Sequence, residues 1–360
     1  MSQASSRACR DCSRRSWLLS ELTVPLDCRA GVGTRLLDLL GLGDEELIAA
    51  LGGRRAEELR ARCAEFDAGE LVPKPGVETI CRHRRAFPRR LRTRHGPSLL
   101  NVAGTASRLT RLAAAPTVAI VGTTRPSDQG VASARALARG MSASGVTVVA
   151  SLAGGIAAAA QEGTLEAAGN AIVVVDGGLG GPCAARMRPL LADVPRRGCA
   201  VSELPHDLPG RRWGTLAAVR TVVALAQLTV VVEARDDPGE LLCAAVAAAV
   251  GRPIAAVPGR VSSPLSRGPH ALLKSGASLV EGAGDVLALL HRAGAGARPG
   301  VALESRLRDT LERVASGADT PERLGRDGAD PDEILLALTE LELMGLLGRS
   351  AGGRYLPLEP

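Results

Sequence analysis

From Pro116 to residue 292 short apolar runs alternate with helix-length segments, and this alternation constrains the fold more than any other feature of the chain. TVAIVG (117–122), VTVVA (146–150), AIVVVD (171–176), CAVSEL (199–204), LTVVVEA (228–234), PIAAVPG (253–259) and ASLV (277–280) have the composition of buried strands. Between them, segments such as GVASARALARGMSASG (130–145) and IAAAAQEGTLEAAG (156–169) space small apolar residues helically and close on glycine. Strands apolar on both sides need cover on both faces. The expectation is an α/β fold with a Rossmann-like, doubly wound, mostly parallel sheet.

The flanks differ. Residues 1–75 space leucines at three and four, as in TRLLDLLGLGDEELIAALGG, and predict a helical N-terminal domain. Residues 76–115 form a basic connecting segment, 116–292 the core domain, and AGAGARPG (293–300) a linker. Residues 301–360 predict three helices and two short strands turning at Ala351-Gly352-Gly353, the outline of a winged helix. Thr320 is placed to cap its second helix and Pro331 to open its third. The third helix carries Asp330, Asp332, Glu333, Glu340 and Glu342 and no basic side chain, so it is poorly suited to facing a phosphate duplex. No apolar run is long enough to span a bilayer, and MSQASSRACRDCSRRSW lacks the apolar stretch of a signal peptide. A cytoplasmic protein without a membrane partner is expected.

Charge is modest, a net +6, and lysine occurs only at Lys74 and Lys274. It is concentrated in CRHRRAFPRRLRTRH, where Arg82, Arg84, Arg85, Arg89, Arg90, Arg92 and Arg94 either offer secondary contacts to DNA phosphates or form a solvated loop. Eight cysteines in a chain without a secretory signal are expected to stay reduced. Cys9 and Cys12 form a C-x-x-C pair, and Cys81 and His83 follow much later. Together they are zinc candidates if the fold brings the pairs together, and buried or idle thiols if it does not.

SLAGGIAAAAQEG (151–163) ends a strand and opens a helix on a glycine pair, the position where an α/β protein holds a phosphate, yet Ser151 to Gln161 include no charged side chain. TVAIVGTTRPSDQG, VTVVASLAGGIAAAAQEG, VSELPHDLPGRRWGTLAAVR and AVPGRVSSPLSRG with LLKSGASLV resemble, in this order, the DNA-processing protein A (DprA/Smf) family. The resemblance runs from about Val118 to Leu287, and the helical start and winged-helix end fit the same layout. It implies a non-enzymatic protein without a cofactor. Such a protein binds single-stranded DNA entering a cell or exposed in repair, passes it to the RecA recombinase during transformation, and commonly dimerises. Phosphates would be held at the carboxyl ends of the strands, by Gly122, Thr123, Thr124, Arg125, Ser151, Gly154, Gly155, Arg220, Arg260, Ser266, Arg267, Gly268 and Lys274.

The chain departs from the family where polar residues would meet phosphate. The family's Gly-Ser-Arg is Gly122-Thr123-Thr124 here, with Arg125 one place late. The arginine, aspartate and histidine of its S-G-L-A-R-G-I-D-A-A-A-H run are Gly154, Ala157 and Gln161. Its Y-P and E-N pairs become Cys183-Ala184 and Arg186-Met187, and F-P-R-R-N-R keeps only Arg220. The aliphatic frame survives while side-chain anion contacts thin out, which leaves a second reading, a diverged paralogue whose sheet is a protein-interaction scaffold. A dinucleotide enzyme is disfavoured, since VGTTRPSDQG lacks G-x-G-x-x-G and the next strand ends in Val149-Ala150 rather than an acid. GGLGGP (177–182) is all that resembles a lonely-guy phosphoribohydrolase.

Overall fold

The computed structural model describes residues 8–29, 33–67, 75–181, 198–292, 305–315, 318–325, 330–343, 347–349 and 354–357. It divides into two units, Met1–Ala297 and Arg298–Pro360. The predicted linker 293–300, the Ala351-Gly352-Gly353 turn and the Cys183–Met187 departures lie outside the described residues.

Among the described residues the first unit is built on nine strands: β1 (Val77–Cys81), β2 (Leu99–Ala103), β3 (Thr117–Val121), β4 (Thr147–Ser151), β5 (Ala171–Val174), β6 (Cys199–Ser202), β7 (Leu228–Val231), β8 (Ile254–Ala256) and β9 (Ser278–Leu279). Their order is β1-β2-β6-β5-β4-β3-β7-β8-β9. From β6 to β9 every pairing is parallel, as the apolar runs predict. The strand period of two sends alternate residues to opposite faces. Val118 and Ile120 pack with α7 (Asp128–Ala143) and α8 (Ile156–Glu166), whereas Ala119 packs with α6 (Ala106–Ala114) and α9 (Arg212–Leu225). Both faces are therefore dry, and a core with few aromatics is filled by Ala, Val and Leu.

The 76–115 segment is more than a connector. β1 pairs antiparallel with β2, and β2 antiparallel with β6, so this segment supplies two strands and α6 to the sheet. The N-terminal helices α1 (Arg10–Glu21), α2 (Thr23–Arg29), α3 (Gly33–Leu40), α4 (Asp44–Leu51) and α5 (Ala56–Glu65) share one apolar cluster with Leu204, Trp213 and Ala217, inside the same unit as the sheet. α10 (Leu242–Ala249), α11 (Arg267–Lys274) and α12 (Ala283–Leu290) complete that unit.

The second unit holds α13 (Ser305–Ala315), α14 (Pro321–Leu324), α15 (Pro331–Leu343) and an antiparallel pair, β10 (Leu347–Arg349) with β11 (Tyr355–Pro357). Its own core joins Leu307, Val314, Leu324, Ile334, Leu338, Leu341, Leu347 and Tyr355. Thr320 accepts a hydrogen bond from the Arg323 amide, and Pro331 opens α15, as the residue types predict. No described helix is long and apolar enough to cross a membrane.

Candidate nucleic-acid interface at the carboxyl edge of the sheet

β3 lies between β4 and β7, so the chain leaves it in one direction and later returns on its other side. Such a switch point opens a crevice at the carboxyl ends of the strands. Three loops meet there. The Thr123 amide donates to the Glu233 carbonyl (2.7 Å), and the Ile156 amide donates to the Thr123 carbonyl (3.1 Å). Gly155 takes a φ of +69°, and a side chain there would collide with Thr123 and Thr124. The glycine pair thus lets the β4–α8 turn pass beneath the β3–α7 loop. The first amide of α8 is already bonded to protein, which narrows the backbone cradle expected at Gly154 and Gly155.

The N-terminus of α7 is also taken. Glu233 accepts hydrogen bonds from the Ser127 amide (2.9 Å) and the Ser127 hydroxyl (2.6 Å), placing a carboxylate where a helix end favours an anion. Glu240 accepts from the Arg235 amide (2.7 Å) and guanidinium (3.1 Å) and reaches the buried Thr123 hydroxyl (3.4 Å). Beside these carboxylates lies a cleft of about 730 Å³ lined by Ser127, Glu233, Gly259, Arg260, Ser262 and Ser263. Thr124, Arg125, Arg260 and Arg267 are exposed on this edge, and Ser151 and Gly122 are half-buried at strand ends. Ser266 is buried and lines the cleft, whereas the buried Gly268 donates its amide to the Ala234 carbonyl (3.0 Å) and serves the loop itself. Sequence reasoning found Ser266 but missed Ser127, Ser262, Ser263 and Glu233 as lining residues, and Glu240 on the loop beside them. Their signal was local only, a Ser-Ser-Pro helix start and an apolar run leading into Glu233.

Two expected contacts, Arg220 and Lys274, are placed elsewhere. Arg220 is 2% exposed; its guanidinium pairs with Glu203 and donates to the His95 carbonyl, while Thr221 donates to Glu203 (3.1 Å). It forms an internal ion pair. Lys274 closes α11, seven residues from Arg267, about 10 Å along the helix and away from the crevice. Gln161 is fully buried and donates to the Ala150 carbonyl (3.3 Å), bracing the sheet.

The arginine segment divides as well. Cys81 pairs with Leu99, so the 82–98 loop starts and ends beside the carboxyl end of β6. Its middle reaches the opposite edge, where Arg90 donates to the Ala113 carbonyl (2.7 Å), the Thr117 hydroxyl (3.0 Å) and the Leu225 carbonyl (3.3 Å). Burial, with Arg252 nearby, holds the Arg90 guanidinium below its ordinary pKa. Arg82 donates to the Thr93 carbonyl and Arg92 to that of Arg84, tying the loop to itself. Arg84, Arg85, Arg89 and Arg94 are exposed. At the start of this loop Cys81 and His83 lie against Cys9 and Cys12, with one ligand atom from each within 4.8 Å of the others.

A mostly parallel open sheet with a crevice at its switch point defines a Rossmann-like binding protein, and the comparisons with known proteins narrow this to one family. Residues 78–291 match the family described as DNA recombination-mediator protein A, and the chain belongs to that family. A putative DNA processing protein DprA of Mycobacterium tuberculosis (strain ATCC 25618 / H37Rv) is 36% identical over 261 residues, covering 70% of this chain and 67% of that protein. Protein Smf of Escherichia coli (strain K12) is 35% identical over 164 residues, 45% of this chain and 44% of that one. Among solved structures, DNA processing protein A from Streptococcus pneumoniae superposes with a TM-score of 0.61 at 25% identity, covering 77% of this chain and 95% of that chain. DNA processing protein A from Helicobacter pylori, described for its unique single-stranded DNA binding mode, gives 0.52 at 25% identity over 60% of this chain and 96% of its own.

Proposed function

We propose that this protein binds single-stranded DNA at the carboxyl edge of its sheet, acts as a homodimer, and passes the strand to the RecA recombinase without catalysing a reaction itself. The observation that carries the reading is Arg260 beside the serine-lined cleft at the switch point, with Arg125 and Arg267 exposed on the same edge. Membership of the family and the described binding mode of the Helicobacter pylori relative support it. The mode of binding follows from the aromatics. Trp17, Phe66, Phe87, Trp213 and Tyr355 are the only aromatic side chains, and all are buried. Bases have no exposed ring to stack on, so affinity comes from phosphate contacts and depends steeply on salt.

A second reading, a sheet edge used for protein contacts, is favoured by two carboxylates at this edge, Glu233 at the start of α7 and Glu240 on Arg235, which repel phosphate. Fluorescence anisotropy of a labelled single-stranded oligonucleotide, across salt and against duplex, separates the two. Arg260→Ala with Arg267→Ala is expected to weaken binding about 10- to 100-fold and to flatten the log–log salt slope by about 1.4. Absent binding at low salt, or an unchanged double variant, gives the scaffold reading the advantage. Sedimentation of the DNA-free protein tests the dimer, and capture of purified RecA tests the hand-over.

A further inference from the structure

Cys9 and Cys12 lie at the entry to α1, Cys12 one turn in; Cys81 ends β1 and His83 follows two residues later. Some seventy residues separate the two pairs, and the fold closes that gap. The Cys9 sulfur lies 3.2 Å and the Cys12 sulfur 3.5 Å from His83 Nδ1, and the Cys9 amide donates to the Cys81 sulfur at 3.5 Å. All four donor atoms fall within 4.8 Å of one another.

We propose that Cys9, Cys12, Cys81 and His83 form a Cys₃His site for a structural zinc ion that fastens the start of α1 to the end of β1. Bond lengths near 2.3 Å to sulfur and 2.0–2.1 Å to nitrogen in a tetrahedron place ligand atoms roughly 3.5–3.8 Å apart. The contacts observed need only small side-chain adjustments to meet that spacing. Three thiolates and one imidazole suit zinc and not magnesium or calcium, which take oxygen ligands. Cys12 and Cys81 are buried with Leu99, while His83 is exposed, so the site is protected on the protein side and reachable by metal from the other.

Without a metal the cluster is an awkward one. The Cys9 amide points at the Cys81 sulfur at 3.5 Å. Amides directed at a sulfur are what a bound thiolate needs, since such outer contacts orient and stabilise metal ligands. A disulfide would use two of the three sulfurs and leave the third with the imidazole. A zinc ion uses all four groups. Its place in the fold gives it a purpose: among the described residues β1 is the outermost strand, joined to the sheet on one side only, and the 82–98 loop leaves directly from the site.

The test uses the full chain purified under reducing conditions with no metal or chelator added. Elemental analysis for zinc and iron is expected to find one zinc per chain. Cobalt(II) chloride added to chelator-stripped protein is expected to give the charge-transfer and ligand-field bands of a tetrahedral thiolate site. His83→Ala alters an exposed side chain and should keep its circular dichroism while losing stoichiometric metal. Cys12→Ser should lose it as well, and Cys28→Ser, an exposed thiol outside the cluster, should keep it. The proposal is overturned if the reduced protein takes up no zinc even from added zinc chloride, if iron fills the site, if His83→Ala and Cys12→Ser retain full metal, or if peptide mapping shows Cys9, Cys12 or Cys81 in a disulfide.

Discussion

Arg220 shows how burial changes the meaning of a charge. Its guanidinium is enclosed by Glu203, Thr221 and the His95 carbonyl, with side-chain exposures of 3% for Arg220 and 7% for Glu203. Removing one partner leaves the other carboxylate desolvated and unpaired. Arg220→Ala is therefore expected to cost about 3–5 kcal/mol in denaturant unfolding, while Arg220→Met with Glu203→Leu costs much less. A loss of DNA affinity without a loss of stability would contradict this assignment. Cys199 and Cys243 make a similar point with thiols. Burial pushes both up to about 12 from an ordinary 9.0. The folded state keeps them neutral where the unfolded chain would ionise them. Their contribution to stability is full below about pH 9 and is lost as pH rises toward 12. Alkylation at pH 8 should accordingly label exposed Cys28 quickly and reach Cys199 and Cys243 only on unfolding, as peptide mapping would show.

Among the elements, the entry to α7 carries a testable conflict. Glu233 stabilises the helix end through Ser127 and at the same time lowers the potential of the cleft it lines. Glu233→Gln should destabilise the protein by about 1 kcal/mol and tighten single-stranded DNA binding roughly 2- to 5-fold at low salt. Unchanged affinity would place the DNA away from this cleft. The elements also differ in how plainly the sequence announced them. β3 to β9 are continuous apolar runs between capped helices, so burial and pattern agreed. β1 and β2 were not foreseen: VETIC and LLNVA are five residues each and are separated by a loop dense in arginine, whose composition spoke for solvent. That same composition concealed Arg90, which bonds the last carbonyl of α9 and one near the end of α6, groups that every helix leaves without a partner. The crevice position was legible from the strand–turn–helix glycines. The carboxylates at it were not, because both arrive from the loop after β7, over a hundred residues away in sequence.

Across the whole molecule the charge is segregated. From Arg298 on the sequence carries eight arginines and twelve carboxylates, so residues 1–297 hold +10 and the remainder −4 of the net +6. The division between the two units falls at the same place. In the second unit Arg306 is engaged with Glu340 at 2.8 and 2.9 Å, and α15 carries no basic side chain, while Leu335 and Leu336 stand exposed on it. Acidic surface is repelled by a polyanion, and exposed leucines are the groups a protein partner would bury. DNA affinity should therefore reside in the first unit alone. A chain ending at Ala297 keeps every residue of the sheet, its covering helices and their apolar clusters, so it is expected to fold and to bind single-stranded DNA at least as tightly as the full chain at low salt. Removing net negative charge strengthens long-range attraction to phosphate, and the gain should fade as added salt shortens its reach. A drop in affinity of tenfold or more on truncation, with the shortened chain still folded by circular dichroism, would instead make the second unit part of the DNA-binding surface despite its charge.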